Sequence, residues 1–212
     1  MTVLLYGPAY STYTRTARLA LEEKGVAYDL REVDTLAGEG QKAEHLARHP
    51  WGKVPVLEHD GFSLYETVAI ARYADEAFPG PALQPTDAKH RARMAQVCAV
   101  LDHYGWSPMV ITVFVQRVVV PMRGGVPDQG AIDGALPQAE RVLAAVESLT
   151  DGGEFLIGSA LSLADLHLAP ILDYFVRTED GRAALSHHPR LSTWWKRIEQ
   201  RPSVAKTRPS FG

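Results

Sequence analysis

The sequence predicts two domains of different class, a small α/β domain at residues 1–78 and an all-helical domain at 88–212, with a linker at 79–87. Three observations carry this. Short strand-like runs bounded by turn residues fill the first third of the chain. Pro79-Gly80-Pro81, with Pro85 close behind, then interrupts the pattern. From about Asp87 onward the apolar residues recur at helical spacing almost throughout.

In chain order, residues 2–6 read as a short apolar strand, broken by Gly7-Pro8. Residues 10–24 carry Ala17, Ala20 and Leu21 on one face, and Gly25 is a natural stop for that helix. Residues 26–33 alternate as a second strand, followed by a polar, glycine-bearing loop over 34–41. Two further runs, 54–57 and 62–65, flank the turn pair Asp60-Gly61 and read as a hairpin. A helix begins at Glu66-Thr67. Strand–helix–strand followed by strand–strand–helix is the thioredoxin-like order of small α/β domains. Beyond the linker, Met94, Val97, Cys98 and Leu101 form one apolar stripe. Residues 108–120 are apolar enough for a buried helix, 124–127 break it, and 132–149 form another. Ser162 and Asp165 make a capping box, with Leu161 and Leu166 spaced as a staple, and open a helix over 163–175 that is apolar around much of its circumference.

The totals exclude several function classes. The chain has 212 residues, 46% hydrophobic and 22% charged, with net charge -3. That balance argues against a nucleic-acid surface or an anionic membrane surface. A single cysteine excludes internal disulfides and multi-cysteine metal sites. No signal-peptide pattern opens the chain and no apolar run reaches spanning length, so a cytoplasmic protein is expected. His45 and His49 stand four apart, but no third ligand is evident and no metal site is expected. Trp194-Trp195 beside Lys196-Arg197 reads as helix packing rather than nucleic-acid contact.

The chemistry centres on residues 49–73. Pro55 inside the first hairpin strand makes a cis peptide and an unpaired backbone edge at Val54 expected, close to a helix N-terminus at Thr67. A strand edge beside free helix N–H groups binds a peptide and its carboxylate. Beside it, residues 6–14 offer several hydroxyls, among them Ser11, which by position alone is an N-cap, and Tyr6, at the end of the first strand.

His49-Pro50-Trp51-Gly52-Lys53-Val54-Pro55 and Glu66-Thr67-Val68-Ala69-Ile70 resemble the glutathione-binding segment of cytosolic glutathione transferases. Leu5-Tyr6-Gly7-Pro8-Ala9-Tyr10-Ser11 is similar to the phi class, as is the ending that holds Pro189-Arg190-Leu191 and Trp194-Trp195. The resemblance implies that Ser11 stabilises the glutathione thiolate while Tyr6 packs. It implies glutathione contacts at Gln41, Lys42, Lys53, Val54, Pro55, Glu66 and Thr67, and an electrophile near Tyr10, Thr12, Thr35, Val115 and Val119. Glutathione enters as co-substrate, with no cofactor, and a small hydrophobic electrophile or a hydroperoxide is the second substrate. A homodimer with Trp51 in the interface is implied, with no nucleic acid or membrane partner. One departure stands out: where the phi loop commonly reads Gly-Glu-His-Lys, this chain has Gly38-Glu39-Gly40-Gln41. Two rivals follow: a non-catalytic ligand carrier or assembly module of the same fold, and a cysteine-based thiol transferase. For the latter, Cys98 is misplaced on a core stripe.

Overall fold

A computed structural model describes residues 2–209 of the chain. By contact these divide into two units, 2–84 with 201–209, and 85–200.

The first unit is a four-stranded sheet with helices. Strands β1 (Val3–Tyr6), β2 (Asp29–Arg31), β3 (Val56–His59) and β4 (Phe62–Tyr65) lie in the order β2-β1-β3-β4. β1 runs parallel to β2 and antiparallel to β3, and β3 pairs antiparallel with β4 through Val56↔Tyr65 and Leu57↔Leu64. Val3 and Leu5 point to the buried face, where α1 (Thr12–Glu23) packs on α3 (Thr67–Ala77). Tyr6 faces the opposite side of the pleat, toward α2 (Ala43–Arg48).

Several boundaries differ from the sequence reading, among them the start of the helix expected over 132–149, which lies at Gln129, where Asp128 caps the helix through the Ala131 N–H. α1 starts at Thr12 rather than Tyr10, because Ser11 stays extended (φ -66, ψ 127) as its N-cap. β2 shrinks to three residues, because the Val26 N–H still bonds Leu21 O in the turn that closes α1. β3 begins at Val56 rather than Val54: the Val54–Pro55 peptide is cis, and Pro55 has no N–H for the ladder. The last helix, α10 (Pro202–Thr207), belongs with the first unit, although its sequence follows the helical domain. It packs on α1, where the Arg201 guanidinium forks onto Glu23 at 3.0 and 2.7 Å.

The second unit is helical. α4 (Ala88–Val100) continues through a widened π-type winding over Leu101–Gly105 and Ser107–Val119 into a last turn, α5 (Val120–Met122). The two halves bend by 47° around Trp106, where Pro108 removes a backbone donor. Then follow α6 (Gln129–Leu149), α7 (Leu163–Phe175), α8 (Glu179–Ser186) and α9 (Pro189–Ile198). Every residue of α7 is buried, as its all-round apolar sequence requires. Trp194 and Trp195 are buried in α9, and Cys98 sits in the core stripe with Met94, Val97 and Leu101. Among the described residues no single helix is long and apolar enough to cross a membrane.

Candidate active site

The first unit holds the starts of α1 and α3 and, just ahead of β3, the Lys53-Val54-Pro55 segment. Gly7 makes a close approach possible. A Cβ there (φ +150) would collide with Thr14 Oγ1 and lie 3.2 Å from the Val54 Cβ, so Val54 closes directly on the first turn of α1. Val56↔Tyr65 is the last pair of the hairpin ladder, so Pro55 stands just ahead of it on one side and Glu66 and Thr67 follow it on the other. The head of α1 therefore meets Val54, and α3, which packs on α1, begins two residues past the paired end of the hairpin at Tyr65.

At the start of α1, Ser11 Oγ accepts from the Thr14 N–H at 3.3 Å. The first turn carries no acidic side chain, so no side-chain charge offsets the positive end of α1. Among the described residues the Ser11 hydroxyl proton has no recorded acceptor, which leaves it able to donate to an anion in front of the helix. Tyr6 is placed otherwise. Its hydroxyl donates to Glu58 Oε2 at 2.9 Å, and Arg48, itself bound to Glu58 at 2.9 Å, lies 4.5 Å over the ring. Burial, with the Glu58 carboxylate, pushes the Tyr6 phenol above its usual range. The phenol proton is thus committed and less acidic than usual.

At the start of α3, Glu66 adopts φ 72, a backbone region uncommon for a side chain other than glycine. It gives α3 no side-chain cap, and the first turn has no acidic residue. Thr67 is buried as the first helical residue, whereas Glu66 is exposed.

The loop from Asp34 to Lys42 forms the next wall. Asp34 Oδ1 accepts from Leu36 N at 2.9 Å and Ala37 N at 3.1 Å, while the Asp34 N–H donates to Glu39 Oε2 at 2.9 Å. Gly40 presses against the Gly52 carbonyl so closely that no Cβ would fit, and the Gln41 amide lies over Gly52. Gln41 therefore reaches the same rim as Lys53. Lys42 is drawn aside, its ammonium 2.7 Å from Glu39 Oε1 in an exposed pair. Tyr10 bonds Asp34 Oδ1 at 3.4 Å and lies beside Thr35, so these two predicted electrophile contacts are neighbours. Burial raises the Tyr10 phenol as well. Thr12 is buried at the head of α1. Val115 and Val119 are half-buried in the second unit, on the widened helix.

Sequence reasoning missed three residues. Glu58 and Arg48 claim Tyr6, and His45 donates from Nε2 to Lys53 O at 2.7 Å. His45 and His49 stack with ring centroids 6.4 Å apart, and His49 packs on Tyr65 at 4.7 Å. Burial holds His49 below its usual imidazole range. Trp51 is 63% exposed and touches Tyr65 and His49 edge-on. In the second unit a hollow of about 340 Å³ lies between Phe155 and the Arg190–Arg197 face of α9, and none of the residues above line it.

Comparison with known proteins adds to this geometry. Residues 5–82 match the family model "Glutathione S-transferase, N-terminal domain", and 88–202 match "Glutathione S-transferase, C-terminal domain". Glutathione S-transferase 4 of Zea mays is 36% identical over 205 residues, covering 96% of this chain and 91% of the relative. The crystal structure of glutathione transferase F7 from Populus trichocarpa superposes with a TM-score of 0.85 at 32% identity, covering 97% of each chain. Glutathione S-transferase I from maize, in complex with an atrazine–glutathione conjugate, superposes with a TM-score of 0.84 at 28% identity, covering 98% of this chain and 96% of that one.

Proposed function

The chain belongs to the glutathione S-transferase family and is most similar to its phi class; from that premise we propose that Ser11 activates glutathione for attack on small hydrophobic electrophiles. One observation carries the choice of residue: the Ser11 proton is uncommitted at the head of α1, while the Tyr6 proton is held by Glu58. A free thiol ionises near pH 8.5 and attacks as the thiolate. Donation from Ser11 and the positive end of α1 favour that anion, and each unit of depression corresponds to about 1.4 kcal/mol.

Glutathione lies along the unpaired edge in this reading. Its cysteinyl backbone pairs with Val54 beside Pro55. Its γ-glutamyl carboxylate meets the α3 N-terminus at Thr67, and its amine meets Glu66. Gln41 and Lys53 take the glycyl carboxylate, with Lys42 joining when it leaves Glu39. The sulfur then forms a bond to carbon as the leaving group departs, or adds to a polarised double bond. With a hydroperoxide, two glutathiones are oxidised to the disulfide while the peroxide is reduced to alcohol and water. Tyr10, Thr12 and Thr35 contact the electrophile. The conjugate in the maize relative supports an aromatic, displaceable substrate. We place this detoxifying activity in the cytoplasm.

The test is a pair of variants. Ser11→Ala should lower kcat/KM by about 10-fold to 1000-fold, the scale of losing one donor to a developing anion. Tyr6→Phe should change it little; the reverse order of effects sinks the assignment. Glutathione binding without turnover in the wild type would favour the carrier reading, toward which Gly40 and the Lys42–Glu39 pair point.

Assembly belongs to the same proposal. An exposed indole buries some 200 Å² when covered, worth several kcal/mol. Trp51 is that indole, and a two-fold dimer would use it twice. Trp51→Ala should shift the species seen by light scattering from twice the chain mass toward monomer. A variant that stays a tight dimer removes Trp51 from the contact.

A further inference from the structure

We propose that His45 is a positioning residue for the glutathione edge, aiming the Val54 N–H through the Lys53 carbonyl; the inference rests on the reading above. His45 is 4% exposed, and its Nε2 lies 2.7 Å from Lys53 O. A carbonyl only accepts, so Nε2 carries a proton and donates it. Nδ1 is buried with no hydrogen-bond partner. Leaving a buried polar atom unpaired costs free energy that an apolar side chain of similar size would avoid. The ring therefore does something beyond filling space, and its one bond is to Lys53.

That bond reaches the site through the peptide plane. Lys53 C=O and Val54 N–H belong to one rigid unit and, across a trans peptide, point in opposite directions. Only the next bond, Val54–Pro55, is cis. Holding the Lys53 carbonyl toward α2 consequently turns the Val54 N–H away from α2, toward the open edge where the cysteinyl backbone pairs. The segment before it is fixed from both sides. Gly52 N–H bonds His49 O at 2.8 Å, and Gly40 packs on the Gly52 carbonyl. Only the plane between Lys53 and Val54 remains to be oriented, and His45 is the side chain that reaches it.

The experiment uses the full chain with three substitutions, reading glutathione Kd by calorimetry, and KM and kcat with a haloarene electrophile. His45→Leu should raise Kd and KM for glutathione about tenfold, the scale of one buried hydrogen bond, with kcat at saturation held within about twofold. His45→Gln carries an amide nitrogen at the reach of Nε2 and should restore binding. His45→Asn places its nitrogen where Nδ1 stands and should not. Should His45→Leu fail to fold, the Gln and Asn variants carry the comparison between them. Equal Kd for Gln and Asn overturns the inference, as does a fall in kcat at unchanged KM. A wild type that does not bind glutathione overturns the underlying reading too, whereas a binding wild type matched by His45→Leu overturns this inference alone.

Discussion

Two helices of this chain begin in opposite ways. At the head of α7, Asp165 is fully buried and accepts from four donors: Leu156 N at 2.9 Å, Ser162 N at 2.8 Å, Ser162 Oγ at 2.7 Å and Trp194 Nε1 at 2.7 Å. Burial pushes its pKa up, and these four hydrogen bonds oppose that push by stabilising the carboxylate. At the head of α3, Glu66 is exposed, strained at φ 72, and caps nothing. The first helix start is closed, its polar groups answered within the chain. The second leaves its N–H groups to be answered from outside. Closure of this kind holds a fold together, and openness of this kind is what a ligand finds.

The contrast predicts different kinds of damage. The largest effect belongs to the closed end. Asp165→Ala strands three buried groups, the Leu156 and Ser162 N–H groups and the Trp194 indole, and should cost about 3–5 kcal/mol. Urea unfolding checks it, and a loss below about 1 kcal/mol would show that α7 is not held by its cap. At the open end the damage should fall on binding. Glu66→Ala should leave the unfolding midpoint nearly unchanged and relieve backbone strain slightly. It should also raise the glutathione KM by about 10-fold or more, since a hydrogen bond to a charged group is worth about 1.5–3 kcal/mol. Unchanged affinity by calorimetry removes Glu66 from the site. The smallest effect concerns Cys98. Burial pushes its thiol up to about 12, so the reactive thiolate is scarce at pH 8. Iodoacetamide should label the folded chain no faster than it unfolds, and rapid labelling would reopen the cysteine-based rival.

The same contrast explains what the sequence made legible. The closed start of α7 was visible because Ser162 and Asp165 sit within one helical turn. The hairpin was visible from Asp60-Gly61, and the odd place of Pro55 was visible from its neighbours. These are local signals. Tyr6 was not decidable from the residues, because its partner Glu58 is 52 positions away. Likewise, α10 joined the first unit through an Arg201–Glu23 contact that spans 178 positions. The role of His45 was not legible because spacing shows which residues share a helix face, not which carbonyl lies opposite. The widened winding from Leu101 to Val119 leaves no mark in composition, and the start of α1 moved by two residues because a cap and a first helical residue read alike.

The central claim is that Ser11 and the open head of α1 make glutathione a better anion. The ultraviolet absorbance of the thiolate, titrated against pH in the protein–glutathione complex, measures this directly. The wild-type complex should ionise below the free thiol value of about 8.5, Ser11→Ala should return toward that value, and Tyr6→Phe should match the wild type. A Ser11→Ala complex that still ionises at the wild-type pH, with the shift lost in Tyr6→Phe instead, would contradict the account.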